Sequence, residues 1–86
     1  MDAEVAYLLA RCQLILDAVE RAEPGAFVAQ LRRILEETAS ARNIRGLRTI
    51  RRDLLEMSQA LSPADRAALE AALNVQEAND PIHRTG

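Results

Sequence analysis

The sequence predicts an all-α fold, either an up-down antiparallel four-helix bundle or a pair of helical hairpins that a second copy of the chain completes. Apolar residues recur three and four positions apart in four segments, which is the spacing of one helix face. The connections between these segments are short, and short loops make successive helices antiparallel neighbours. Glycine and proline number three each, and aromatic residues make up 2% of the chain, which excludes most β-sandwiches.

The first helix is predicted over residues 2–22, because an apolar stripe runs along it and Pro24 and Gly25 follow it. The stripe consists of Val5, Leu8, Leu9, Cys12, Ile15, Leu16 and Val19. Tyr7 and Leu14 lie on the opposite side, and a helix that is apolar on two sides is usually buried on two sides. We therefore expect this helix to be central, either inside the bundle or across the interface of a homodimer. Tyr7 and Leu14 are then candidate partner-binding residues, and the alternative is that both are isolated apolar residues on the surface.

The second and third helices are predicted over residues 24–40 and 43–61, with Pro24 at the first position of the second helix. Their apolar stripes lie about 150° apart around a single continuous helix, so the chain is expected to break between them. Asn43 is the predicted N-cap of the third helix. The stripe of the second helix comprises Phe27, Val28, Leu31, Ile34, Leu35 and Thr38, and that of the third comprises Leu47, Ile50, Leu54, Met57 and Leu61.

The fourth helix is predicted over residues 63–78. Ser62 is its expected N-cap, Pro63 its first residue and Asp65 an acid in its first turn, which is a common helix start. Residues 1–79 therefore form one predicted domain. Residues 80–86 lack apolar periodicity and are predicted to be a flexible C-terminal tail.

Length and composition restrict the class of protein further. A chain of 86 residues allows one domain, and 49% apolar with 28% charged residues is typical of a globular protein. The single cysteine excludes an internal disulfide framework and a CxxC metal site. There is no basic leader pattern and no apolar run of about 20 residues, so we expect a cytoplasmic protein that does not bind a membrane.

Arginines are concentrated before and within the third helix, without an acidic residue among them. They are Arg42, Arg45, Arg48, Arg51 and Arg52. Elsewhere acids lie four positions from arginines, as Glu36 does from Arg32, and local ion pairs are expected there. Arg42, Arg45, Arg48 and Arg51 have no such acid, and we predict that they form a charged partner-binding ridge that points away from the core. Solvent, acids elsewhere in the assembly, an acidic partner protein or nucleic-acid phosphates could each neutralise this ridge.

The sequence indicates no catalytic chemistry, cofactor or metal. It contains no P-loop, GxSxG or HExxH pattern. Cys12 lies on an apolar stripe, and the single histidine, His83, lies in the tail. We therefore expect a small non-catalytic protein–protein interaction module, namely an adaptor, regulatory or assembly subunit. It would dock through its helix faces as a homodimer, against a protein with an acidic surface, or both.

The alternative is a nucleic-acid-binding regulator that uses the arginine ridge. It ranks second because the formal net charge is −2 and no aromatic residues alternate with the arginines to stack on bases.

Overall fold

A computed structural model of the chain describes residues 2–79, which form four α-helices. They are α1 (Ala3–Ala22), α2 (Ala26–Ser40), α3 (Ile44–Ser58) and α4 (Pro63–Asn79). This part of the chain contains no strand, so the prediction of an all-α fold is confirmed. The predicted C-terminal tail, residues 80–86, lies outside the described residues.

Helix α1 is the centre of the structure. It packs against α2, α3 and α4, and α2 also packs against α3. The core therefore consists largely of the apolar stripe of α1 with the facing stripes of its neighbours. Its fully buried side chains are Val5, Leu8, Cys12, Ile15, Leu16, Val28, Leu35, Leu47 and Leu54. A single chain thus buries α1 on more than one side, which was one of the two arrangements expected for this helix.

The helix starts have the caps that their residue types favour. The Asp2 carboxylate accepts a hydrogen bond from the N–H of Glu4 at 2.8 Å. The Asn43 side-chain oxygen accepts one from the N–H of Gly46 at 2.9 Å, and Ser62 Oγ accepts one from the N–H of Asp65 at 3.1 Å. Each bond satisfies a first-turn donor that has no partner within the helix. The predicted caps Asn43 and Ser62 are confirmed.

Two predicted helix ends are wrong by two or three residues. Helix α2 begins at Ala26, since Pro24 and Gly25 belong to the turn and Gly25 is extended, with φ 174°. Helix α3 ends at Ser58, because the N–H groups of residues 59–61 bond three residues back and tighten the last turn. Leu61 is nevertheless buried, so the apolar pattern continues beyond the helix and led the prediction too far.

No helix within residues 2–79 combines the length and apolar character needed to cross a membrane.

Candidate interaction surface on helix α3

Three arginines share an exposed face of α3. Arg45, Arg48 and Arg52 are all exposed, and their spacings of three and four residues place them on neighbouring turns. The opposite face of the helix carries Leu47 and Leu54, which are buried against α1. The arginine-rich surface predicted from the sequence is therefore present, although with fewer members.

Arg51 is not on this exposed face, so the expectation that it points away from the core is wrong. It is half-buried, because it lies four residues after Leu47 and three before Leu54. A step of three residues falls about 60° short of a full helix turn. A series of arginines three residues apart therefore winds around the helix. Arg51 lies at the edge of the core, whereas Arg45 and Arg48 are exposed.

Arg42 is not on α3 either. It lies in the turn between α2 and α3, and its φ of 55° is in the left-handed region. Its N–H donates to the carbonyl of Ala39, in the reversal that ends α2. Arg42 is exposed, but its direction is set by this turn and not by the face that Arg45 and Arg48 share.

Two carboxylates approach the arginines of α3. Arg48 Nη2 donates to Glu4 Oε1 of α1 at 2.6 Å, and Arg52 Nε lies 3.7 Å from Asp53 Oδ1. Within residues 2–79, no ion pair is formed by Arg45 or Arg51. An acid elsewhere in the chain thus neutralises Arg48, which is one of the outcomes considered for the ridge, while positive charge remains on the rest of the surface.

A shallow groove between side chains of α3 and its C-cap runs beside these arginines. Its lining residues are Arg48, Arg51, Arg52, Leu55, Glu56 and Gln59. Leu55 is an apolar side chain that is 38% exposed among charged neighbours. The stems of arginine are aliphatic, so this surface offers apolar contact as well as positive charge.

The apolar candidates Tyr7 and Leu14 are covered within one chain. Tyr7 is 8% exposed, and Leu14 is half-buried against the core. Arg11 holds α4 over this side of α1, since its guanidinium lies 5.6 Å from the centre of the Tyr7 ring and donates to Gln76 Oε1 of α4 at 3.1 Å. Gln76 Nε2 donates in turn to the Tyr7 carbonyl at 3.0 Å. A role for Tyr7 in binding a partner remains a prediction, and it would require α4 to move.

Arg32 does not form the ion pair that was expected within its own helix. It donates to Asp17 and Glu20 of α1, both at 3.0 Å, and not to Glu36 on its own helix. The hydrogen bond to Asp17, assisted by the charges of Asp17 and Glu20, raises the pKa of Arg32 above its ordinary value. The acids of α1 at this end therefore serve the contact between α1 and α2.

The apolar stripe predicted for the second helix includes two residues that are exposed in the structure. Phe27 is 59% exposed and Ile34 46% exposed, whereas Val28 and Leu35 are buried. The stripe from Phe27 to Thr38 is wider than the face that α1 and α3 cover. Its width is ordinary for a core-facing helix, so the sequence carries no signal that Phe27 and Ile34 stay exposed.

Cys12 lies in the core, as the sequence predicts. Its side chain is fully buried, and burial raises the pKa of the thiol to about 11, against the opposing charges of Arg51 and Arg11. The thiolate needed for nucleophilic chemistry is therefore disfavoured at neutral pH. Among residues 2–79, no group of three or more His, Cys, Asp or Glu side chains is arranged to hold a metal ion.

Comparisons with known proteins assign no family to the chain. No model of a protein family, no curated protein and no solved structure matches it.

Proposed function

We propose that the protein is a small non-catalytic interaction module that docks the exposed arginines of α3 onto an acidic surface of a partner protein. The observation that carries the proposal is the shared exposed face of Arg45, Arg48 and Arg52, next to the partly exposed Leu55. Exposed charges mainly set encounter rate and choice of partner, and a desolvated apolar contact prolongs the complex.

The distribution of charge supports this proposal. Residues 42–52 carry five arginines and no acid, whereas the remainder of the chain carries thirteen acids and six arginines. Net positive charge is thus concentrated in one region of a protein that is acidic elsewhere. Such segregation attracts an acidic surface to this region and repels it elsewhere, which fixes the orientation of docking.

Site-specific photocrosslinking in the source cells tests the proposed function. A photoreactive phenylalanine analogue replaces the exposed Gln59 beside the arginines in one variant and the exposed Asn74 of α4 in a matched control. We expect protein adducts from position 59 only, mapped to acidic segments of the partner, and we expect Arg45→Glu with Arg48→Glu to abolish them. Equal adducts from both positions, or none from position 59, would contradict the proposal.

A nucleic-acid-binding regulator is the second candidate, because three exposed arginines in consecutive turns also suit phosphates along a strand. Binding of labelled DNA and RNA at about 50 and 200 mM salt distinguishes it, since phosphate contacts weaken steeply with salt. Binding by the wild type that is lost at the higher salt, and lost on changing Arg45, Arg48 and Arg52 to Ala, would favour this second function. An absence of binding at the lower salt would exclude it.

A further inference from the structure

The groove along α3 has the length and composition of a docking site for a helix. Its lining runs from Arg48 to Gln59, which is about three helical turns or roughly 16 Å. Arg48 and Arg52 lie one turn apart at its exposed side, and Leu55 lies one turn further along. Two positive groups are thus followed by one apolar group along the groove, with helical spacing.

Charge complementarity indicates that the ligand of this groove is acidic. A helix with acids four positions apart presents both carboxylates on one face, where they can reach Arg48 and Arg52. An apolar side chain one turn further along that helix covers Leu55. A phosphate strand matches the groove less well, since it has no aliphatic side chain to cover Leu55.

The chain itself contains an example of this contact. Glu4, a carboxylate carried by α1, already accepts a hydrogen bond from Arg48 at 2.6 Å. Both side chains of this pair are about half exposed, at 57% for Arg48 and 46% for Glu4, so an incoming carboxylate can replace Glu4. Glu4 therefore competes with the partner for Arg48.

We propose that this groove binds an acidic amphipathic helix of another protein, whose carboxylates pair with Arg48 and Arg52 and whose apolar side chain packs on Leu55, in competition with Glu4. This inference rests on the proposed function, which requires only that the face bind an acidic protein surface. It adds the helical form of the ligand, its apolar contact and the competing residue.

Fluorescence anisotropy with defined synthetic peptides tests the inference on the full chain. The probe is a labelled helical peptide of about four turns with two glutamates four positions apart and a leucine three positions after the second. It is made in both sequence directions, because the groove does not fix the polarity of the bound helix. The matched control peptide has the same composition with its glutamates two positions apart, which places them on different faces.

We expect the probe to bind in at least one direction, and the control peptide to bind at least about tenfold more weakly. Arg52→Ala and Leu55→Ser should each weaken binding about tenfold, since each removes one contact of the groove. Both residues are exposed, so the variants should retain the fold, which circular dichroism checks. Glu4→Gln should strengthen binding about threefold, whereas Glu70→Gln on the exposed side of α4 should leave it unchanged.

Equal binding of probe and control peptide, or no binding of either, would overturn the inference, as would binding that Leu55→Ser leaves intact. Displacement of the bound probe by a single-stranded oligonucleotide at equal concentration would also overturn it and favour phosphate recognition. If the peptide experiment fails but the crosslinking experiment gives position-specific protein adducts, only the helical form of the ligand is rejected. Failure of both experiments would reject the proposed function as well.

Discussion

Gly46 of α3 and Thr38 of α2 are so close that a methyl group on Gly46 would lie 2.9 Å from Thr38 Cγ2. The same methyl group would lie 2.7 Å from Nδ2 of the Asn43 cap. Both distances are too short for a carbon atom to fit without movement of its neighbours. A glycine within the first turn of α3 thus permits the close packing of α2 on α3 while the cap stays in place.

We therefore expect Gly46→Ala to lower the free energy of unfolding by about 1–2 kcal/mol, because overpacking outweighs the gain in helix propensity of about 1 kcal/mol. Urea denaturation measures the change. Thr38→Ser removes the methyl group that would clash, so the double variant should recover part of the loss. A Gly46→Ala variant as stable as the wild type would show that the cap and Thr38 shift at no cost.

Arg32 should contribute modestly to stability through its two contacts with α1. Its partners Asp17 and Glu20 are both partly exposed, so we expect Arg32→Ala to cost about 1 kcal/mol, and less at high salt. Arg33→Ala is the matched control, because the adjacent Arg33 is exposed and makes no ion pair within residues 2–79. Equal losses from the two substitutions, measured by urea denaturation, would argue against a special role for Arg32.

Cys12 should make the fold sensitive to alkali. Burial raises the pKa of its thiol from 9.0 to about 11, so between these values the thiol ionises in the unfolded chain while it stays neutral in the folded one. The unfolded state then binds fewer protons than the folded state. The contribution of the Cys12 thiol to stability is therefore complete below pH 9 and declines as the pH rises towards 11. We expect Cys12→Ala to be about 1 kcal/mol less stable at pH 7 but to lose less stability over that range. Parallel pH profiles for the two proteins would contradict this expectation.

Tyr7 should stabilise the fold of the single chain, without a second copy. Because its ring is buried and lies against Arg11, Tyr7→Ser is expected to cost about 3 kcal/mol, and Leu14→Ser less, since Leu14 is half-buried. Urea denaturation at two protein concentrations separates the roles. A loss that does not depend on concentration indicates a core residue, whereas a concentration-dependent loss with dissociation of a dimer would restore the sequence-based prediction of a partner contact.

The helices were predictable because local signals define them. Caps such as Asn43 and Ser62 are recognisable from residue type, and the reversal of the apolar stripe near Ser40 located the break between α2 and α3. The end of α3 was less predictable, since Leu61 continues the apolar pattern from a turn. Apolar periodicity indicates which residues are buried, and a residue in a turn can be buried too, so the pattern does not mark where a helix ends.

The candidate site was predictable only in part. The excess of arginine on α3 is visible in the sequence, but the pairing of Arg48 with Glu4 joins residues 44 positions apart, and no local spacing indicates it. Arg32 likewise bonds across to α1 although Glu36 lies at the favourable spacing on its own helix. Ion pairs between helices depend on how the helices pack, which a single sequence does not specify.

The central place of α1 has a consequence for the growing chain during synthesis. Gln76, which bonds to the carbonyl of Tyr7, lies 69 positions later, so this side of α1 is made long before its cover. The nascent protein therefore carries an uncovered apolar strip around Tyr7 until α4 is synthesised. Chaperone binding and misassembly of unfinished chains should concentrate on that strip, and pausing of translation before α4 would prolong the exposure.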